Sequence, residues 1–388
     1  MINVSKLYCG LESSSDRLRY GAHKERALSE IRPVVVWNVT RRCNLKCAHC
    51  YSDSENRRYE GELTTTDAMG LFKDLAQFGV PAVLLSGGEP LMRPDLFDLV
   101  AYGRELGLRF TLSTNGTLIT REAAGRIQSA GFSYVGISLD GIGETNDRFR
   151  GVAGAFGRTL QAFRNLKTAG QRVGLRMTLT RHNIADLPRI FEVIETERID
   201  RACFYHLVPA GRGRTIIAEL PTAEESRRAI DQIFRKTRDW RDRGIEKEIL
   251  TVDNHVDGVY LYLKLLEEGS PRAQPVKDLL KINGGARKSS GVGIACVDFV
   301  GNVHPDQFWM NHTLGNIRES SFSRIWRDER EPLLASLRRR EEHLHGRCAV
   351  CPYLELCGGS SRVRAEALTG DLWAPDPACY LTETELHC

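Results

Sequence analysis

Residues 33–51 read PVVVWNVTRRCNLKCAHCY. The first eight are mostly apolar, four of them valine, as a strand buried on both faces requires. The rest places Cys43, Cys47 and Cys50 on one short loop at that strand's end. Three thiolates spaced C-x3-C-x2-C can hold three irons of a [4Fe–4S] cube and leave the fourth open to a chelating ligand. Zinc is the bland alternative, but zinc ligands normally come in pairs around a hairpin, not as this triplet. His49 and Tyr51 flank the last cysteine, where a ring can shield a cluster.

One β-α unit further on, Ser86-Gly87-Gly88-Glu89-Pro90 ends the next strand-like run. Gly87 and Gly88 let the backbone approach a ligand closely. With Glu89 and Pro90 they offer edge N–H and C=O groups suited to an amine. Alone, GGEP is an ordinary turn; its place after the cysteine loop gives it weight. Ser113 and Asn115 end a third run, and Ser138 and Asp140 a fourth. Small polar side chains there suit ribose hydroxyls and a carboxylate, and Arg176 in the fifth run is a candidate partner for that carboxylate. Asn-Gly and Asp-Gly are common turns, so the value of these residues is positional.

Strand-like runs at 33–40, 82–86, 109–113, 134–139, 173–179 and 201–207 alternate with amphipathic segments. From Asp67 to Phe78, Met69, Phe72, Leu75 and Phe78 share a face, and Gly79 is placed as a C-cap. A second helix runs from Ala155 to Ala169 ahead of Gly170, and Thr222 with Glu225 spells a capping box. The α/β pattern predicts a parallel sheet with outer helices, curled by right-handed crossovers into a partial (β/α)6 barrel over 33–245. Ligands gather at the C-terminal ends of such strands. Residues 1–32 read as a polar lead-in. Over 246–388, short segments, Gly/Ser-rich spacing and dense cysteines predict a loop-rich domain held by metal.

That domain carries Cys348, Cys351, Cys357 and Cys379, four thiolates that can close a cube completely; a four-cysteine zinc site is the alternative. Of eleven cysteines, Cys9, Cys203, Cys296 and Cys388 remain. Cys203, inside a strand, reads as a small core residue. His255, within DNHVDG, is the candidate catalytic histidine, because Asp253 and Asp257 can orient it to ligate iron or hand over a proton.

The 388 residues carry a formal charge of +4. That is too weak an excess to argue for nucleic acid, and it suits a substrate bearing carboxylates. Mean hydropathy is −0.32, and no apolar stretch approaches the ~20 residues of a spanning helix. The N-terminal segment lacks a basic-then-apolar signal pattern. A cytoplasmic protein with reduced thiols, and with neither a nucleic-acid nor a membrane partner, is the expectation.

On the cysteine triplet, GGEP and the polar strand ends, residues 33–245 resemble the radical S-adenosylmethionine (SAM) superfamily. The resemblance implies that SAM chelates the open iron and that its one-electron reduction gives a 5′-deoxyadenosyl radical, which abstracts a hydrogen atom. The second cysteine group is similar to the outer auxiliary cluster of SPASM-type members. A further auxiliary cluster would need more cysteines. Cys296 matches one such position, but Asp306, Gln307 and Ser361 stand where others belong. One auxiliary [4Fe–4S] cluster beside the SAM-binding one is therefore expected.

Five stretches resemble, nearly end to end, the enzymes that remodel siroheme-derived tetrapyrroles: SKLYCG with LRYG, CFYHLVPAGRG, LTVDNHVDGVYLYLKLL, HPDQFW and RVRAEALTGDLWAPDPACYL. The first of these favours the 12,18-didecarboxysiroheme deacetylase type, which removes two acetates to give Fe-coproporphyrin III. The alternative is the heme d1 synthase type, which turns two propionates into oxo groups. A SPASM peptide maturase is a third reading, although only 32 residues precede the first strand, too few for a leader-peptide-binding domain. A metal-stabilised binding or electron-transfer protein would leave GGEP unexplained. The resemblance implies an iron-tetrapyrrole substrate and a reducing donor such as flavodoxin or ferredoxin. For the macrocycle, Arg212, Arg214, Arg362 and Arg364 are candidate carboxylate partners, and Tyr205, His206, Phe308 and Trp309 candidate stacking rings.

Overall fold

The computed structural model describes residues 1–13, 16–21 and 31–386. Among them, eleven strands make one sheet: β1 (Ile2–Asn3), β2 (Val34–Thr40), β3 (Val83–Gly87), β4 (Phe110–Thr114), β5 (Tyr134–Ser138), β6 (Val173–Leu179), β7 (Arg201–His206), β8 (Glu248–Val252), β9 (Ile294–Val297), β10 (Asn302–His304) and β11 (Gly315–Asn316). Their order is β1-β8-β7-β6-β5-β4-β3-β2-β9-β10-β11. β2 to β8 pair in parallel in chain order. β9 joins β2 on its other edge, also in parallel, while β1, β10 and β11 run antiparallel to their neighbours. The fold is a partial barrel of parallel strands with helices outside.

All six expected strands are present, each within a residue of its expected bounds. The sheet goes further than expected in both directions. β8 is a seventh parallel strand beyond residue 245, and β9, deep in the C-terminal region, extends the sheet from β2. The polar lead-in reading is corrected for the first nine residues. Ile2 and Asn3 pair with Thr251 and Leu250, and the helix Val4–Cys9 buries Val4 and Leu7 completely. A two-residue strand and a six-residue helix are too short to show a period, so only their docking reveals them.

The outer helices form where the pattern says. Thr65–Phe78 opens on a capping box between Thr64 and Asp67 and ends at Gly79 with φ +79. Ala223–Asp242 opens on the box of Thr222 and Glu225. Their apolar faces close the core against the strands. Phe72 meets the buried Trp37 of β2 edge-on at 5.3 Å and Phe110 of β4 at 5.0 Å. Each such ring contributes roughly 1.5–3 kcal/mol by leaving water. Gly103 makes room for Phe110, since a Cβ there would lie 2.7 Å from Cε2 of that ring. No helix among the described residues is long and apolar enough to cross a membrane.

Candidate active site and iron–sulfur centres

The cysteine triplet follows β2 directly, at the C-terminal edge of the parallel strands. Cys43 and Cys47 are buried and Cys50 is partly so. Each sulfur already has a donor aimed at it. The Leu45 amide lies 3.4 Å from Cys43 Sγ, the Ser54 amide 3.4 Å from Cys50 Sγ, and Arg150 Nη1 3.6 Å from Cys47 Sγ. Donors on sulfur favour thiolate, whereas burial, with the nearby Glu89 carboxylate, pushes Cys43 up to about 12, and burial raises Cys47 as well. An electropositive metal group resolves that tension, so the loop fits an iron–sulfur cluster. The backbone of the loop is tied on several sides. Cys43 N–H donates to Glu55 O at 3.0 Å, Ala48 N–H to Phe149 O at 2.9 Å and Arg212 Nε to Cys47 O at 3.0 Å.

The GGEP segment is part of this clamp. Gly88 N–H donates to Thr40 O at 2.8 Å and Glu89 N–H to Arg42 O at 2.9 Å. A Cβ on Gly88 would come within 2.6 Å of the Arg42 carbonyl carbon, and one on Gly87 within 3.0 Å of Asn38 Cα. The close approach these glycines permit is therefore to the exit of β2, and the two amides expected to face a ligand are already engaged. Glu89 is fully buried. It accepts from Thr114 Oγ1 (2.7 Å), the Asn115 amide (2.9 Å) and the Leu91 amide (3.3 Å), tying β3 to β4. Burial pushes its carboxyl up to about 7 against the pull of those donors. Pro90 opens the short 3-10 turn that follows.

The polar strand ends divide into two kinds. Asn115 and Asp140 face the cysteine loop. Asn115 Nδ2 donates to Asn44 Oδ1 at 2.9 Å, and its oxygen is held by Thr117. Asp140 pairs with Arg150, the same guanidinium that reaches Cys47, and accepts from the Thr178 amide at 2.6 Å. The expectation that Asp140 offers itself to a ribose is thus corrected: a cation occupies it. Ser138 keeps a side chain with no partner among the described residues. Arg176 crosses over Gly136, which has no side chain to block it, and donates to Ser113 Oγ at 2.5 Å. Its guanidinium stands 5.3 Å over Tyr205 and has no carboxylate partner among the described residues, so it is free to take an anion.

A cavity of about 440 Å³ opens beside the triplet, lined by Asn38, Thr40 and Arg41, by Tyr51 to Asp53, and by Gly211, Arg214, Asp298, Phe299, Phe308, Met310 and Asn311. Two of the macrocycle candidates, Arg214 and Phe308, lie on its wall. The others do not, and each has a physical reason. Arg212 holds Cys47 O and Asp53. Arg362 and Arg364 are buried, on backbone carbonyls and on Asp376 respectively. Trp309 is fully buried with its Nε1 on Glu366. Tyr205 lies beneath Arg176.

The orientation expected for His255 is also corrected. Asp257 accepts instead from His206 Nε2 at 2.9 Å and from Tyr380 at 2.7 Å. His255 lies buried at the head of the helix Val256–Glu267. Its amide bonds Ser360 Oγ at 3.2 Å, and burial drives the ring far below its usual pKa. It lines neither the large cavity nor the one at the second cysteine group, although its neighbour Val256 and its partner Ser360 line the latter.

That second group does converge. Cys348, Cys351, Cys357 and Cys379 all line one small cavity of about 30 Å³, together with Val256, Arg347, Tyr353, Ser360 and Asp376. Four thiols around one space fit a closed cluster. Of the leftover cysteines, Cys9, Cys203 and Cys296 are buried; Cys388 lies outside the described residues. Cys296 on β9 receives Asn38 Nδ2 at 3.6 Å. Asp306 turns to Ser290 and the Phe308 amide, and Ser361 caps the helix Arg362–Thr369. Sequence reading missed Arg150, Asn44, Arg41 and Met310; lone polar, charged or apolar residues carry no spacing signal.

Residues 37–194 match the radical SAM superfamily, and residues 290–352 match the iron–sulfur cluster-binding SPASM domain. The chain is 51% identical, over its full length and 99% of the relative, to the Fe-coproporphyrin III synthase of Methanosarcina barkeri. It is 44% identical to the pre-heme d1 synthase of Dinoroseobacter shibae, over 91% of this chain and 87% of that one. Among solved structures, Streptococcus suis SuiB bound to S-adenosylmethionine shares the fold, with a TM-score of 0.71 at 20% identity over 91% of this chain and 78% of SuiB. The chain belongs to the radical SAM superfamily, as an enzyme with a SPASM domain whose cofactors are SAM and two iron–sulfur clusters.

Proposed function

We propose that this enzyme removes the two acetate side chains of 12,18-didecarboxysiroheme to give Fe-coproporphyrin III, a step of siroheme-dependent tetrapyrrole synthesis. The observation that carries the reading is the 51% identity, end to end, to a protein of that name. The large cavity supports it. Tyr51, Phe299 and Phe308 offer aromatic surface, and Arg214 is a cation with no partner among the described residues. Such walls suit a flat macrocycle rimmed with carboxylates.

In this reading Cys43, Cys47 and Cys50 hold the SAM-binding cluster, and Cys348, Cys351, Cys357 and Cys379 hold the auxiliary one. When bound, the first cluster and SAM supply a carbon-centred radical that takes a hydrogen atom from substrate. Gly87, Gly88, Glu89 and Pro90 hold the cysteine loop against β3; the carbonyls of Gly87, Glu89 and Pro90 accept from Ser52, Met92 and Arg93, which leaves that of Gly88 for the methionyl amine. Arg176, braced by Ser113, takes the methionyl carboxylate, and Ser138 takes a ribose hydroxyl. Asn115 orients the loop through Asn44 and by its own side-chain amide on Cys43 Sγ at 3.9 Å, and Asp140 acts one step back, through Arg150. Arg214 receives a substrate carboxylate through its fork. A reduced flavodoxin or ferredoxin supplies electrons, and the enzyme works in the cytoplasm, where thiols stay reduced. The division of labour follows residues 33–245 for radical generation and 246–388 for the auxiliary cluster, with Ile2 and Asn3 of the lead-in pairing with β8.

The test is anaerobic incubation of the reconstituted protein with SAM, a strong reductant and iron-didecarboxysiroheme, followed by mass spectrometry. Loss of two acetates with matching 5′-deoxyadenosine is the expected result. Oxo groups at the propionate positions would move the reading to the d1 branch that the 44% relative represents. An unchanged tetrapyrrole would refute the substrate.

A further inference from the structure

Near the four-cysteine cavity the fold buries two arginines that form no ion pair among the described residues. Arg340 is 2% exposed and Arg362 is 1% exposed. Arg340 donates to Leu337 O at 3.1 Å and Ser290 O at 2.9 Å. Arg362 donates to Leu372 O at 3.0 Å, Ala374 O at 2.7 Å and Gly359 O, and its Nε has no partner. Neither forms an ion pair among the described residues. The nearby carboxylates are taken: Asp376 is forked by Arg364 at 2.8 and 2.7 Å, and Asp306 turns to Ser290 and the Phe308 amide.

Carbonyl oxygens satisfy N–H groups but do not neutralise charge. A buried cation with no ion-pair partner is among the more expensive things a fold can hold. Here two lie close enough to oppose each other, and burial with that repulsion brings Arg340 down to about 9. The anions within electrostatic reach of Arg362 are Asp376 and then the second-group thiolates Cys348 and Cys357, and those of Arg340 are Asp306 and Glu341 and then Cys357; Arg362 also touches the wall of the four-cysteine cavity through Gly359 O. A cube held by four thiolates is a net anion, and gains further negative charge on reduction.

We infer that Arg340 and Arg362 are the built-in counter-charges of the auxiliary cluster, positioning residues that raise its reduction potential and make its loading complete the electrostatics of the C-terminal region. The inference rests on the assignment of Cys348, Cys351, Cys357 and Cys379 as that cluster's ligands. It concerns what surrounds the cluster, and it holds whichever tetrapyrrole is the substrate. A guanidinium fixed by carbonyls cannot swing away when the cluster changes oxidation state, so its field acts on both states and favours the more negative one.

The experiment uses full-length protein with Cys43→Ala, Cys47→Ala and Cys50→Ala, which isolates the auxiliary cluster, in four versions: Arg340→Met, Arg340→Lys, Arg362→Met and Arg362→Lys. Iron content, potentiometric EPR and the difference in Tm between loaded and apo protein are read. The Met versions should show a lower midpoint potential and a smaller loaded-minus-apo Tm gap, with the Lys versions nearer the parent. Met versions that lose iron while Lys versions keep it, at parental potential, carry the same meaning. Unchanged potential in iron-replete Met versions overturns the inference, as does equal loss of iron with Met and Lys, which would make the arginines carbonyl ties only. Failure of the ligand assignment is separable: Cys357→Ala would then keep the parental cluster signal.

Discussion

Replacing Gly88 by alanine tests whether the glycines of GGEP serve the cysteine loop. The new Cβ would sit within 2.6 Å of the Arg42 carbonyl carbon and 2.8 Å of Arg41 O, where ordinary contact begins at 3.4 Å. Both neighbours are backbone, so no rotamer change relieves the clash, and the loop must move by several tenths of an ångström or more. Overpacking of this kind costs about 1–3 kcal/mol. The shift also strains the bonds from Gly88 N–H to Thr40 O and from Glu89 N–H to Arg42 O, each worth roughly 1 kcal/mol. The sum is about 3–5 kcal/mol, placed one residue from Cys43. Anaerobic thermal denaturation of the apoprotein should show a Tm lower by roughly 5–10 °C. Reconstitution should leave the SAM-binding cluster substoichiometric while the auxiliary iron stays. Gly125→Ala is the control: it lies in the helix Arg121–Ala130 with nothing within 4 Å of a Cβ, and should stabilise by about 0.4–1 kcal/mol. A Gly88→Ala protein with parental Tm and full cluster content would refute the reasoning.

Arg150→Met strips Asp140 of its cation in a site where Asp140 is 1% exposed, so urea denaturation should show a loss of about 3–5 kcal/mol, with Asp140→Asn milder. Glu89 has a folded pKa of about 7, above its ordinary 4.5. Its share of stability, roughly 3 kcal/mol, is full below about pH 4.5 and is lost as pH rises through 7. Apo-protein Tm measured from pH 5 to 7.5 should therefore fall for wild type relative to Glu89→Gln; parallel curves would contradict this. Arg214→Ala should raise KM for the tetrapyrrole about tenfold or more, as the loss of a charged hydrogen bond implies, and leave cluster content and SAM affinity unchanged. An unchanged KM would remove Arg214 from the substrate wall.

Spacing made both cysteine groups legible, because ligands of one metal group have to recur within the reach of a short loop. The six barrel strands were legible because a strand buried on both faces is a mostly apolar run, as in Val34–Thr40 and Val173–Leu179. The chain alone therefore determined a parallel α/β sheet, a site at its C-terminal edge and two sets of thiols. What it left undetermined were relations between residues far apart in sequence. β1 exists only because Ile2 and Asn3 find β8 some 250 residues later. Asp140 looked like a ribose ligand until Arg150 claimed it, and Asp257 looked like a partner of His255 until His206 and Tyr380 reached it first. Four of the arginines read as carboxylate partners carried the same local signal, yet only Arg214 reaches the cavity wall. Arg212, Arg362 and Arg364 are held by carbonyls or by Asp376. Composition says how many charges a chain has. Which of them are spent on one another is decided by distances of about 3 Å, and those exist only after the sheet has closed.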